Sequence, residues 1–349
     1  MFDFYIAKIL LLTALAFIFT IAWTPLLTHF LYKYKLGKQI RNSGKTPIFS
    51  KLHAHKSGTP TMGGVLIWVT VLIFSVLFFY LAKFLPGEFF KNLNFLSRSQ
   101  TLLPLGVLVI TALVGLFDDW LDVRGKGLLG GGGLNIYHRL LIYTSIALVG
   151  AWWFYFKLGW DIFHIPFLGD FQLGWSYILI FVFVIIATAF SVNETDGLDG
   201  LAGGTLLIAF GAFGVIAFAN GKFDLATFCG VIVGALLAFL WFNINPARFY
   251  MGDTGAMSLG VTLGVIALLT NSVMILPVIG FIFVIESGSV IIQMISKKIF
   301  NKKVFISTPI HHHFEAKNWS EPKIVMRFWV IAGVSAFIGL IIFLLDKNI

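Results

Sequence analysis

Apolar residues in this chain run in long blocks separated by short polar connections, and many blocks approach the roughly 18 residues that mark a membrane span. Ten blocks are predicted as helical spans: 4–31, 62–85, 102–117, 140–156, 175–192, 201–219, 225–242, 256–269, 273–295 and 325–345. Segments alternating in polarity, the mark of a spanning barrel, do not persist. The pattern therefore predicts an all-α polytopic membrane protein, a single integral domain over 1–349 with about ten transmembrane helices. The apolar and aromatic stretch 162–171 is too short to cross and is expected as a small element at the outer surface. Composition agrees: 58% of the 349 residues are hydrophobic and 12% charged, against roughly 25% charged in a soluble domain. The first block has no small-residue cleavage site behind it and is predicted to remain as an uncleaved span.

Charge orients the pattern. The net charge of +9 is not spread as a nucleic-acid footprint; Lys and Arg gather in two connections. The first holds Lys33, Lys35, Lys38, Arg41, Lys45, Lys51 and Lys56 without one acid, and the ninth holds Lys297, Lys298, Lys302, Lys303, Lys317, Lys323 and Arg327 against Glu315 and Glu321. The positive-inside rule puts both on the cytoplasmic face, which for ten spans leaves the N- and C-termini outside. By the same parity every polar cluster of chemical interest falls in an odd connection, so the active site is expected on the cytoplasmic face. Cys229 is the one cysteine and lies in an apolar run, so the chain has no internal disulfide.

Asp118 and Asp119 follow the third span directly. Adjacent carboxylates at a membrane face are costly unless a cation compensates them, although a solvated helix end explains the pair as well. In the fifth connection Asn193-Glu-Thr-Asp-Gly-Leu-Asp-Gly-Leu201 puts Asp196 and Asp199 three apart, on one helical face or around one turn, beside glycines that let a backbone approach phosphate. It is too short for a calcium loop and lacks the closing Glu. The seventh connection adds Asp253 between Gly252 and Gly255. Three acidic clusters on one side supply the hard oxygen ligands that suit magnesium, the arrangement of metal-assisted phosphoryl transfer.

Four further segments are less specific. His311-His312-His313 is unsuited to zinc, because successive helical residues point about 100° apart; imidazoles donating to phosphate or carboxylate fit better. Residues 130–133 are all glycine but lack a P-loop ending and read as a connector. Thr59-Pro-Thr-Met-Gly-Gly64 after Lys56 fits either a phosphate site at a helix start or ordinary capping. Inside the ninth span Glu286, Ser289 and Gln293 form a polar stripe, suited equally to function and to interhelical hydrogen bonding.

Taken together, these segments resemble the phospho-N-acetylmuramoyl-pentapeptide-transferases nearly end to end. The motifs are Thr59 to Gly64, Phe117-Asp-Asp119, Asn193 to Leu201, Trp241-Phe-Asn243, Met251-Gly-Asp253, Glu286-x-x-Ser-Val-x-x-Gln293, Pro309-x-His-His-His-Phe-Glu315 and Glu321-Pro-Lys-Ile-Val-x-Arg327. The resemblance implies a bacterial inner-membrane enzyme that moves phospho-MurNAc-pentapeptide from UDP-MurNAc-pentapeptide to undecaprenyl phosphate, releasing UMP, with Mg2+ required and a homodimer as its assembly. It implies Asp253 as the metal-binding aspartate, and Asp118 and Asp119 as catalytic acids, with Asp118 deprotonating or positioning the lipid phosphate. It implies substrate binding by Lys56, Thr61, Asn193, Asp196, Asp199, Asn243 and Tyr250, the last stacking on uracil, and by His312 and His313 in the phosphate region. The chain departs from the family after the acidic pair, where Asp122 and the glycines replace a Lys-rich stretch and Arg139 stands where a lysine is usual. A sibling transferase for GlcNAc-1-phosphate shares the aspartates, whereas the triple histidine and the 59–64 segment favour the muramoyl branch. A transporter would need its acids near the midplane, and only Glu286 sits deep. One-step and covalent two-step transfer use the same residues and are not separated by sequence.

Overall fold

The computed structural model describes residues 2–37, 56, 58–125, 134 and 136–347. The 130–133 glycines and most of the basic first connection, 38–55, lie outside the described residues. The chain begins with α1 (Phe2–Lys33), α2 (Val65–Phe84), the short α3 (Glu88–Leu93), α4 (Leu102–Val123) and α5 (Ile136–Trp152), which ends in a π turn, Trp153–Lys157. A hairpin of β1 (Ile162–Ile165) and β2 (Gly169–Gln172) leads to α6 (Tyr177–Thr195), α7 (Leu201–Ala219), α8 (Phe223–Asn243) and α9 (Gly252–Leu269). Last come α10 (Leu276–Ile279), α11 (Phe281–Phe300), α12 (Ile310–Ala316) and α13 (Glu321–Asp346).

Among the described residues nine helices are long and apolar enough to cross a membrane. The ninth expected span, over 273–295, is built differently. It breaks at Gly280 into α10 and α11, and α11 carries Glu286, Lys297 and Lys298. The turn before it meets the hairpin, where Asn271 Oδ1 accepts His164 N at 3.1 Å, and α11 meets the histidines through Glu286. Its polar stripe faces inward: Gln293 accepts the amides of Val304 and Phe305 at 2.9 and 3.0 Å and holds the loop that follows, while Ser289 bonds back to Glu286 O.

Both ends of the chain lie at the hairpin end. Lys8 reaches Asp224 at 3.5 Å and Asn94 O at 2.8 Å, and Lys347 donates to Ala219 O. The segment expected as a surface element is the β1–β2 hairpin, antiparallel with Ile162 opposite Gln172. His164 pins it to the last helix, with Nε2 2.6 Å from Asp346 and Nδ1 2.7 Å from Asp170.

The buried centre is α9, nearly enclosed by α4, α6, α7 and α2. Lipid tails are as apolar as leucine, so such a helix is held by close packing rather than by exclusion of water, and small residues let backbones meet. Gly260 is the clearest case: a Cβ there would lie 2.9 Å from Ala189 Cα and 3.0 Å from Thr188 O of α6. Gly260→Leu is expected to destabilise the purified protein by about 1–3 kcal/mol, read as thermal unfolding in detergent. Gly106→Ala, where a Cβ meets nothing within 4 Å, should leave stability undiminished or slightly raised, because alanine is the better helix former.

Candidate active site

The polar clusters converge opposite the hairpin end, at the start of α9. A helix start leaves backbone N–H groups without partners, and burial in a membrane protein makes them expensive. Asp119 meets this need from α4: Oδ1 accepts Asp253 N and Oδ2 accepts Thr254 N, each at 3.0 Å. Asp196 Oδ2 accepts Gly252 N at 3.2 Å. Thr61 donates to Asp119 at 3.3 Å. The segment 59–64 is strapped to 250–251 by Tyr250 N to Pro60 O, Gly63 N to Tyr250 O and Gly64 N to Met251 O, each 2.8 Å. The two helices approach this closely because residue 115 is glycine, where a Cβ would land on the Asp253 carbonyl.

Asp118 and Asp253 then face one guanidinium. Nη2 of Arg139 lies 2.9 Å from Asp118 Oδ2 and 2.7 Å from Asp253 Oδ2. Nη1 donates to Asn193 Oδ1 at 2.8 Å, and Asn193 returns its amide to Asp253 Oδ1 at 2.5 Å. Asp118 Oδ1 accepts Leu134 N at 2.5 Å. One turn beyond Arg139, Tyr143 is buried with its hydroxyl unpaired among the described residues.

A second cluster adjoins the first through the 196–200 loop. Lys56 Nζ lies 2.8 Å from Asp199 and 2.5 Å from Glu321. Glu321 also accepts Asp199 N at 2.6 Å, and Asn245 Nδ2 bridges Asp199 at 2.9 Å and Glu321 at 3.2 Å. Burial opposes the charge on Lys56, but Glu321 and Asp199 outweigh it and hold its pKa above the ordinary lysine value. The Tyr250 ring lies 5.9 Å from Lys56 Nζ, and burial raises the pKa of its phenol. Asn243 spends its side chain on backbone, accepting Gly200 N at 3.0 Å and donating to Phe249 O at 2.8 Å.

The three histidines diverge. His311 is fully buried on α12, its Nδ1 2.9 Å from Glu286 Oε2 of α11. Its other edge packs on Gly197, where any Cβ would strike the ring. Burial alone would discharge this imidazole; Glu286 overrides that and raises its pKa. His312 Nδ1 meets Glu315 at 2.6 Å, and its ring lies 4.1 Å from that of His311. His313 Nδ1 accepts Ile306 N at 3.2 Å, and slight burial with Lys317 nearby lowers its pKa.

The structure thus brings Asp118, Asp119, Asn193, Asp196, Asp253 and Thr61 into one cluster and Lys56, Asp199 and Tyr250 into its neighbour, with Asn243 bracing the loop between them. Sequence reasoning left out Glu321, Asn245, His311 and the bridging role of Arg139. Signals existed for two of them. Glu321 opens a helix beside a proline in one of the quoted motifs, and Arg139 is a cation kept behind the acidic pair where a lysine is usual.

As a metal site the donor set is hard oxygen, and the carboxylates of Asp118, Asp119, Asp196 and Asp253 outnumber the one guanidinium set among them. That excess of charge suits a cation. Among the described residues no three His, Cys, Asp or Glu side chains converge as ligands; a magnesium ion on one or two of these carboxylates would need phosphate oxygens and water to complete its shell.

The model for Glycosyl transferase family 4 matches residues 101–271, and the phospho-N-acetylmuramoyl-pentapeptide-transferase signature 1 matches residues 56–67. A phospho-N-acetylmuramoyl-pentapeptide-transferase of Chloroflexus aggregans is 40% identical over 347 residues, covering 96% of this chain and 89% of its own. Its counterpart in Bacillus thuringiensis is 40% identical over 342 residues, 95% and 97% of the two chains; that of Bacillus cereus strain AH187 gives the same values. On likeness of this extent, the chain belongs to the phospho-N-acetylmuramoyl-pentapeptide-transferase family.

Proposed function

We propose that this protein transfers phospho-MurNAc-pentapeptide from UDP-MurNAc-pentapeptide to undecaprenyl phosphate, giving the lipid-linked diphosphate and UMP, at the cytoplasmic face of a bacterial inner membrane. The observation that carries the reading is the convergence of Asp118, Asp253 and Asn193 on Arg139 beside the 196–200 loop, in a chain 40% identical to transferases of that name over nearly its whole length. The positive-inside rule supports this side of the membrane, since Lys56 of the basic first connection and His311 of the basic ninth lie at the same end as these carboxylates.

Transfer makes a bond from an oxygen of the lipid phosphate to the sugar-linked phosphorus and breaks that phosphorus's bond to the oxygen leaving with UMP. Asp118, the most buried of the site's aspartates and held at one oxygen by Leu134 N, positions the lipid phosphate or takes its proton. Arg139 and Asn193 bind diphosphate oxygens beside Asp253. Asp119 and Asp196 fix the first turn of α9 and with it the direction of the Asp253 carboxylate. On the nucleotide side, Asp199 and Lys56 shape the pocket rim and Tyr250 offers its ring to uracil; Asn243 and Thr61 hold the backbone below. His312 and His313 border the phosphates, and His311 supports the donor loop through Gly197. Magnesium, held by Asp253 with Asp118 beside it, would offset the charge of the diphosphate and of departing UMP. Assembly as a homodimer belongs to the same reading, and light scattering of the purified protein reports it.

Purified protein incubated with undecaprenyl phosphate, magnesium and either UDP-MurNAc-pentapeptide or UDP-GlcNAc is expected to release UMP from the first donor. Release from UDP-GlcNAc alone would move the chain to the sibling branch. Asp253→Ala should lower the rate by at least roughly 10²–10³-fold, and Asp122→Ala only mildly; equal losses would contradict the assignment.

The His311–Glu286 pair makes a pH prediction. Because the pKa of His311 in the fold is raised above its ordinary 6.5, the pair stabilises fully below that value, and the contribution fades as pH climbs through the raised one. Thermal unfolding of His311→Gln should therefore fall furthest below the parent protein in mildly acidic buffer and approach it in alkaline buffer.

A further inference from the structure

On the membrane-facing side of α4 and α5 lies an open groove of about 390 Å³, walled by Leu102, Gly106 and Ile110 of α4 and by Val149 and Trp153 beyond the middle of α5. It occupies the half of α4 remote from the carboxylates. Leu102 and Asp118 are sixteen residues apart, about 24 Å along a helix. Its walls are almost wholly apolar, and several are exposed: Ile110 by 55% and Val149 by 69%. Arg98 borders it, exposed and without an acidic or hydrogen-bonding partner among the described residues. The groove is empty at its floor because residue 106 is glycine, where a Cβ would meet nothing within 4 Å.

We infer that this groove is a binding site for an anionic phospholipid, with one acyl chain along Gly106 and the phosphate on Arg98. The size falls within the roughly 300–1,000 Å³ of small-molecule sites. Hydrophobic burial cannot select an occupant inside a bilayer, because the lipid surroundings are equally apolar; shape must hold the chain and charge must choose the head. The guanidinium of Arg98 beside the groove supplies that choice. The acceptor of the transfer reaction meets a different requirement, since its phosphate must reach Asp118 at the far end of α4.

The test uses the full protein in detergent with two lipids carrying a photoreactive acyl chain, phosphatidylglycerol and zwitterionic phosphatidylcholine. Cross-linked peptides are mapped by mass spectrometry. Phosphatidylglycerol should label 102–110 and 145–153 about fivefold more than phosphatidylcholine. Arg98→Gln should erase that preference, Arg98→Lys should restore it, and Gly106→Phe should remove the labelling. UMP release by each variant reports that it is folded, and Gly106→Leu replaces Gly106→Phe if the larger side chain disturbs the helix pair. Equal labelling by both lipids, or a preference that survives Arg98→Gln, would overturn the inference and leave ordinary surrounding lipid. Displacement of the label by undecaprenyl phosphate would instead assign the groove to the substrate's chain, and its loss on dimer formation would assign it to a second copy; either also refutes it.

Discussion

The first turn of α9 is buried, and its backbone N–H groups have no water to turn to. That constraint organises the site. Acceptors must come from other helices, and carboxylates are the acceptors that gain most from a helix start, where the peptide dipoles leave partial positive charge. Asp119 and Asp196 fill the role from the ends of α4 and α6. Because they bond to backbone, they fix the turn rather than merely sit beside it. Asp253 inherits its direction from that turn, and its neighbour Thr254 is held by Trp68 at 3.2 Å and by Ala112 O at 2.8 Å.

Placing acids there sets a second condition. Buried carboxylates repel one another, and a buried ion pair seldom repays the cost of drying its members. Arg139 compensates Asp118 and Asp253 together, and its remaining amino group is taken by Asn193. The neighbouring cluster follows the same rule with the cation reversed in emphasis, one Lys56 between Asp199 and Glu321. Each cluster therefore carries more negative than positive charge. Such a balance is poorly suited to stability and well suited to a site that receives a cation together with an anionic diphosphate.

Much of this was legible before any coordinates. Long apolar blocks fix helices because unpaired backbone cannot enter a bilayer, so nine of the ten spans fall where the pattern put them. In the ninth the polar stripe was legible from Glu286, Ser289 and Gln293, whereas the break at Gly280 was not, a distinction hydropathy averages away. Within the site, acids that cluster in sequence were readable, whereas partnerships across the fold were not. Asp118 and Asp119 look alike as neighbours on a helix, yet one faces Arg139 and the other caps α9, because adjacent helical side chains point about 100° apart. The histidine triplet hides the same divergence, with only His311 buried against Glu286. No local pattern predicts which of three consecutive imidazoles meets an acid twenty-five positions earlier.

The Lys56–Glu321 contact joins residues 265 positions apart. Lys56 enters the membrane system with the first two helices, and Glu321 opens the last. A chain still being synthesised would hold every aspartate of the site before it held Glu321, and Asp199 N would lack its acceptor until α13 was in place. A chain cut short before Glu321 therefore has the acids without the contacts that hold Asp199 N and Lys56.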